Sequence, residues 1–295
     1  MKRERHCCII RVRATIDFAA LQSGFDVKEF RLTVACVFLA MLPTIAAAGR
    51  SCEERTPSAA IVQQAMGLAH EAQQKLDSSG ADVALIARAG QNLSRYGVRY
   101  SHFGFAWRDH PKGAWRVVHQ LNECGTASSE IYDEGLGNFF LDDLWKMEAA
   151  ILIPSQPIQQ RLAAILGSRG HLSLHEAQYN MVAYPYSTKY QNSNQWVLEV
   201  IAAAEARDAV VTSREQAQHW LRLAGFQPTE LKLDALTRLG ARITKANVAF
   251  DDHPSELRWS DRIRTVTVDS AFSFVAQRDP QSTRIEINGA RVAKQ

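Results

Sequence analysis

Apolar residues recur at three-to-four spacing in SAAIVQQAMGLAHEAQQKLDSSG (58–80), at Val62, Met66, Ala69, Ala72 or Gln73, and Leu76. That period predicts an amphipathic helix closed by Ser-Ser-Gly, with His70 beside the stripe as a surface residue. DVALIARAG (82–90) is a short continuous apolar run and predicts a buried strand. YSHFGFAW (100–107) and AWRVVHQLN (114–122) predict two more strands, joined by the turn-rich RDHPKG into a hairpin. Side chains alternate across a strand, so His102 shares a face with Gly104 and Ala106, and His119 shares one with Trp115, Val117 and Leu121.

The remaining pattern alternates helices and strands. NFFLDDLWKME (138–148) predicts a short helix, AAILIP (149–154) a strand and QPIQQRLAAIL (156–166) a helix. In YQNSNQWVLE (190–199), Asn192 and Gln195 have capping-box spacing ahead of an apolar stripe at Val197, Val200, Ile201 and Ala204. A helix is expected there from about Ser193 to Glu205. SREQAQHWLRLAG (213–225) predicts a capped helix and LDALTRLGA (233–241) a weaker one. RTVTVDSAFSFVA (264–276) and TRIEINGARV (283–292) read as closing strands. No repeat or low-complexity linker breaks the chain.

The first 48 residues change the charge balance. LTVACVFLAMLPTIAAAG (32–49) has an apolar core, cations ahead of it and an Ala-x-Ala end, the order of a secretory signal cleaved after Ala48. It is short for a membrane span, which needs about 20 apolar residues. A start at Val27 would make this an ordinary short signal. The whole chain carries 34 Lys and Arg against 31 Asp and Glu, but removing residues 1–48 leaves 27 of each. A near-neutral exported chain lacks the basic stripe that grips phosphates, so nucleic acid is not an expected partner. Residues 49–295 are expected to form one domain in the periplasm or outside the cell, with no membrane span once the signal is removed. Cys52 and Cys124 are then the two cysteines left, and in an exported protein they are expected to pair. The bridge would close a loop of about 70 residues, worth about 4 kcal/mol in the chain-entropy treatment. The alternative is a reactive thiol at Cys124.

The candidate chemistry lies in three short stretches: SHFGF with His102, WRVVHQLN with His119, and NSNQWV with Ser193. A nucleophile, a base and a residue that orients the base must come within hydrogen-bond reach. A helix start suits the nucleophile, because its unpaired N–H groups and dipole favour negative charge. Bland readings stand beside this one: Ser193 as a helix-start residue, and His102 and His119 as core histidines bonded to each other. His171 and His175 have helical i, i+4 spacing but no accompanying carboxylate, so no metal is expected. His110 and His253 both precede proline and read as turn residues. GLGNFF has no phosphate-loop lysine, and no cofactor is expected.

RAGQNLSRYGVRYSHFGFAWRD, VVHQLNECGTASSEIYDEGLGNFF and YQNSNQWVLE resemble an uncharacterised family of exported bacterial proteins, domain of unknown function 2145, over nearly the whole of residues 49–295. More distantly, the order of SHFGF, WRVVHQLN and NSNQWV resembles circularly permuted NlpC/P60 papain-like hydrolases. That resemblance implies an α+β fold, an antiparallel sheet packed on helices, with a papain-like core at about 81–205 and an accessory part at 206–295. It implies His102 as catalytic base, His119 as the residue orienting it, and Ser193 in the position of the family's cysteine. The cysteine-to-serine change matters: a thiol near pKa 8.5 can be ionised by its surroundings, whereas a hydroxyl must lose its proton during attack. Tyr100, Tyr190, Asn192, Asn194 and Gln195 are the candidate lining of a substrate groove. The expectation is a hydrolase of an amide or ester, acting on a small molecule, peptide, cell-wall fragment or lipid. Its rivals are a catalytically silent binding protein of the same fold and a structural envelope protein.

Overall fold

The computed structural model describes residues 56–142 and 144–288. Six antiparallel strands make the central sheet, in the order β4-β3-β2-β1-β5-β8. They are β1 (Val83–Arg88), β2 (His102–Trp107), β3 (Arg116–Asn122), β4 (Ser129–Gly135), β5 (Glu148–Ile153) and β8 (Thr283–Asn288). The predicted hairpin is β2–β3, with Phe105 opposite Val118 and Ala106 opposite Val117. β1 is fully buried because it lies between β2 and β5 with helices on both faces.

Alternation along the strands divides the core in two. Val83, Leu85, Ala87, Phe103, Phe105 and Val118 pack against α3 (Gln156–Gly167), α4 (Ser193–Glu205) and α8 (Val268–Arg278). Ala84, Ile86, Ala106 and Val117 face the other way, onto α1 (Ala59–Ser79) and α2 (Leu136–Leu141). α1 is the predicted first helix, begun by the Ser58 hydroxyl accepting from the N–H of Ile61 and ended by Gly80 at φ 70°. Its buried face is Ala65, Leu68, Ala69, Ala72 and Leu76, so Met66, expected in the stripe, stands exposed. α2 stops at Leu141, short of the predicted span through Glu148.

Beyond α5 (Arg214–Leu223) a smaller part covers one end of the sheet. It contains the two-stranded β6 (Thr229–Lys232) and β7 (Arg262–Thr265), with α6 (Ala235–Thr244) and α7 (Ser255–Arg258) between them. Residues 264–276, expected as a strand, divide between two elements. β7 ends at Thr265, and Thr267 and Ser270 then form a reciprocal capping box that starts α8. Val268, Ala271, Phe272 and Val275 supply its buried helical face. The β-branched run before the cap carries the strand pattern into a segment whose apolar spacing is helical. The expected signal, Val27 and Cys52 lie outside the described residues.

Candidate active site

α4 begins at Ser193, as predicted, because the Asn192 side-chain oxygen accepts from the N–H of Gln195 at 2.7 Å. The reciprocal half of the expected capping box is absent: the Gln195 amide turns to Pro185 O (3.3 Å) and Glu199 (3.1 Å). Nearly every residue of α4 is buried. Its first turn is fixed to two neighbours. Asn192 Nδ2 donates to Thr265 Oγ1 at 2.9 Å, and Asn194 Nδ2 donates to the carbonyl of Ser101, beside His102, at 3.2 Å.

Below the first turn, Glu199 is fully buried and holds Arg214 at 2.9 Å. Gln191, Gln195 and Gln218 also donate to its carboxylate. Burial pushes the pKa of Glu199 up, against the pull of Arg214. Arg214 further donates to the carbonyls of Thr188 and Tyr190. The loop leading into Ser193 is thereby clamped to α4.

The two histidines stand on the sheet face that meets α2, opposite to α4. His102 Nε2 lies 2.9 Å from His119 Nδ1, and both rings pack on Phe139, at 6.0 and 5.4 Å between centroids. His119 is completely buried, and its Nε2 is 3.3 Å from Glu134 Oε2. That contact is off the angle of a good hydrogen bond, so its attraction is chiefly electrostatic. A carboxylate beside Nε2 favours the proton there, which leaves His119 Nδ1 as acceptor and His102 Nε2 as donor. The lone pair of His102 then resides on Nδ1. Burial lowers the pKa of His119 below its ordinary 6.5, outweighing the carboxylate. Glu134 is held below its ordinary 4.5 by the contact with His119. Arg88 and Asp142 form an ion pair beside this cluster, with the Arg88 guanidinium 4.6 Å from the centre of the Phe139 ring.

His102 begins β2 and Ser193 begins α4, and both ends reach the same rim of the sheet. There they line one cavity of about 510 Å³. Tyr100, Asn192 and Asn194 line it as well. Tyr100 contributes its ring, because its hydroxyl is bonded to Glu286 and burial and that carboxylate raise its pKa. Gln195 and Tyr190 lie away from the cavity, and His119 sits behind His102. Apolar side chains such as Leu93, Val182, Leu233 and Phe250 make much of the wall, and Arg88, Asp142, Asn122 and Asn247 add polar groups to it. Ser193 is buried, its hydroxyl has no hydrogen-bond partner among the described residues, and no hydrogen bond joins it to His102. The N–H groups of Ser193 and Asn194 likewise have no acceptor among the described residues, as befits the first turn of a helix.

Three features of the site were not read from the sequence. Glu134 belongs to β4, whose edge position leaves its strand pattern weak. Asn247, Phe250 and Thr265 arrive from the far end of the chain and had no local signal. Nor did Thr237 and Ala241 of α6, which also line the cavity. His171 and His175 do not form a pair: His171 Nδ1 is 3.4 Å from Ile165 O, and His175 Nε2 is 3.4 Å from Ser129 Oγ. Among the described residues no group of three His, Cys, Asp or Glu could hold a metal. Cys124 follows β3 and is engaged rather than free. Its expected partner Cys52 lies outside the described residues.

The fold and site define an α+β protein with an antiparallel six-stranded sheet and an amphipathic cavity at its rim. The chain belongs to the family described as an uncharacterised protein conserved in bacteria (DUF2145), matched over residues 75–275. No curated protein and no solved structure matches it. Among the described residues no helix is long and apolar enough to cross a membrane.

Proposed function

We propose that this chain is an exported hydrolase-like protein whose cavity takes an acyl compound, an ester or amide, with Ser193 as nucleophile. One observation carries the reading: the Ser193 hydroxyl, at a helix start, shares a cavity with a histidine whose Nε2 is bonded to a second, buried histidine. In this reading His102 takes the Ser193 proton as the oxygen attacks the acyl carbonyl, and later returns it to the leaving group. His119 orients His102, and Glu134 holds the tautomer of His119. The N–H groups of Ser193 and Asn194 would receive the developing oxyanion. In this reading the order of histidine strand, second polar strand and later helix would correspond to a circularly permuted papain-like core at about 81–205, with the accessory part after it. Residues 1–48 would direct export to the periplasm or beyond and be removed, and Cys52 would pair with Cys124.

A fluorophosphonate that captures activated serines tests this. Wild type should be labelled, Ser193→Ala should not, and His102→Ala should slow labelling at least tenfold. A second reading, a binding protein that no longer turns over, is favoured by the missing hydrogen bond between Ser193 and His102. It is the outcome if wild type resists the reagent while Ser193→Cys reacts with thiol reagents at neutral pH.

A further inference from the structure

We propose that the cavity takes an alkyl chain, and that the part of the protein after α5 is the receptor for it. The proposal rests on the acyl-compound reading above and names the acyl group. Leu233, Phe250 and Ile263 form a third apolar cluster, apart from the two sheet cores, with Tyr96, Val182, Leu231 and Val248 against it. Every one of these except Ile263 lines the cavity. The cluster therefore packs around the cavity, which at about 510 Å³ has the size of a small-molecule site.

The polar side chains of the wall decide between an alkyl chain and a peptide or sugar, because most are bonded to the protein itself. Asn192 donates to Thr265, and Asn247 donates to Asn122 at 2.8 Å. Thr237 donates to Asp234 at 3.0 Å, and Thr267 shares a hydrogen bond with Thr229. Arg88 is paired with Asp142, and Tyr179 and Lys245 are engaged as well. The side-chain oxygens of Asn194 and Asn247 have no donor, but protein covers both, so neither is presented to the cavity. The half-buried Gln91 and Tyr96 are the exceptions, one amide and one hydroxyl. Beyond them, a ligand meets the Ser193 hydroxyl and the N–H groups of the first turn of α4. That set suffices for one carbonyl or carboxylate, not for the row of amides of a peptide or the hydroxyls of a sugar. Each ligand polar group buried without a partner is unfavourable, whereas methylenes against this wall are favourable.

Calorimetric titration of the full chain with octanoate, dodecanoate and acetyl-trialanine tests this. Dodecanoate should bind at least about tenfold more tightly than octanoate, and at least about tenfold more tightly than the tripeptide. Dodecanoylglycerol and N-dodecanoylglycine show whether the chain arrives as an ester or an amide, and a failure of both to bind would overturn the proposal. Val248→Trp and Ala241→Phe fill the cavity from two different places. Each should lower the ratio of dodecanoate to octanoate affinity at least about threefold, a ratio that does not depend on the folded fraction. Ser193→Ala should keep the wild-type ratio, because the chain sets it and the acyl end does not. A ratio unchanged in both filled variants, or a tripeptide bound as tightly as dodecanoate, would overturn the proposal. Fluorophosphonate labelling without chain-length preference would remove the alkyl chain and leave Ser193 as nucleophile; chain-length preference without labelling would do the opposite.

Discussion

A methyl group at Gly104 would stand 2.8 Å from the Cβ of His119 and 2.8 Å from the carbonyl oxygen of Val118. Neither neighbour is the far end of a flexible side chain, so Gly104→Ala must push β2 and β3 apart or turn His119. We expect a loss of about 1–3 kcal/mol in denaturant unfolding and displaced imidazole resonances, with fluorophosphonate labelling reduced beyond the loss in folded fraction. His119 also makes stability sensitive to acid. Its folded pKa is below 6.5 because of burial, so below that pH the unfolded chain binds a proton that the folded chain resists. Glu134, held below its ordinary 4.5, adds stability that is present above 4.5 and lost as pH falls through its folded value. From pH 7 to pH 5 the melting temperature should fall through His119, whereas Glu134 adds to the loss only below 4.5 and the raised pKa of buried Glu199 acts with the opposite sign. The fall should be smaller in His119→Asn, where the remaining slope includes that of His171 and His175, which burial also lowers. An equal slope in wild type and variant would remove His119 from that account.

At the scale of elements, the start of α4 is where local and distant signals meet. The Asn192 cap was legible because the cap, the first turn and the apolar stripe are all set by neighbours in sequence. Asn192→Ala should cost about 0.5–2 kcal/mol by loss of the cap. The bond from Asn192 to Thr265 was not legible, since it joins residues 73 apart. A double-mutant cycle with Thr265→Val should return a coupling of about 0.5–1.5 kcal/mol. A coupling near zero would mean that β7 does not hold the start of α4. The strands of the sheet interior were readable from their apolar content, and a His102–His119 bond was one of the readings that adjacent strands allowed, whereas the register that puts both rings on one face was not legible. Edge strand β4, half polar, was not readable, and the carboxylate behind His119 was missed with it. The Val and Thr residues at 265–268 extended a strand pattern across a helix cap, so α8 was misread. The cavity wall after residue 230 has no signature in the sequence at all, because tertiary packing alone brings it to the sheet rim.

For the molecule as a whole, the buried Glu199–Arg214 pair decides whether the site stays closed around its loop. Arg214→Met leaves the carboxylate uncompensated and should cost about 3–5 kcal/mol, whereas adding Glu199→Leu should recover much of that loss. Chemical denaturation of the single and double variants measures both. If the single variant is as stable as wild type, the clamp on residues 185–191 does not rest on this pair. The cavity has a different dependence, on time. The rim that carries His102 and Ser193 comes from residues 88–102 and 192–194, but Leu233, Asn247, Phe250 and Thr265 close it. Asn122 is tied to Asn247 across 125 positions. During synthesis, Ser193 and His102 therefore emerge well before the roof that encloses them. A growing chain would hold His102 and Ser193 in water, without an apolar chamber around them, until the later strands fold back.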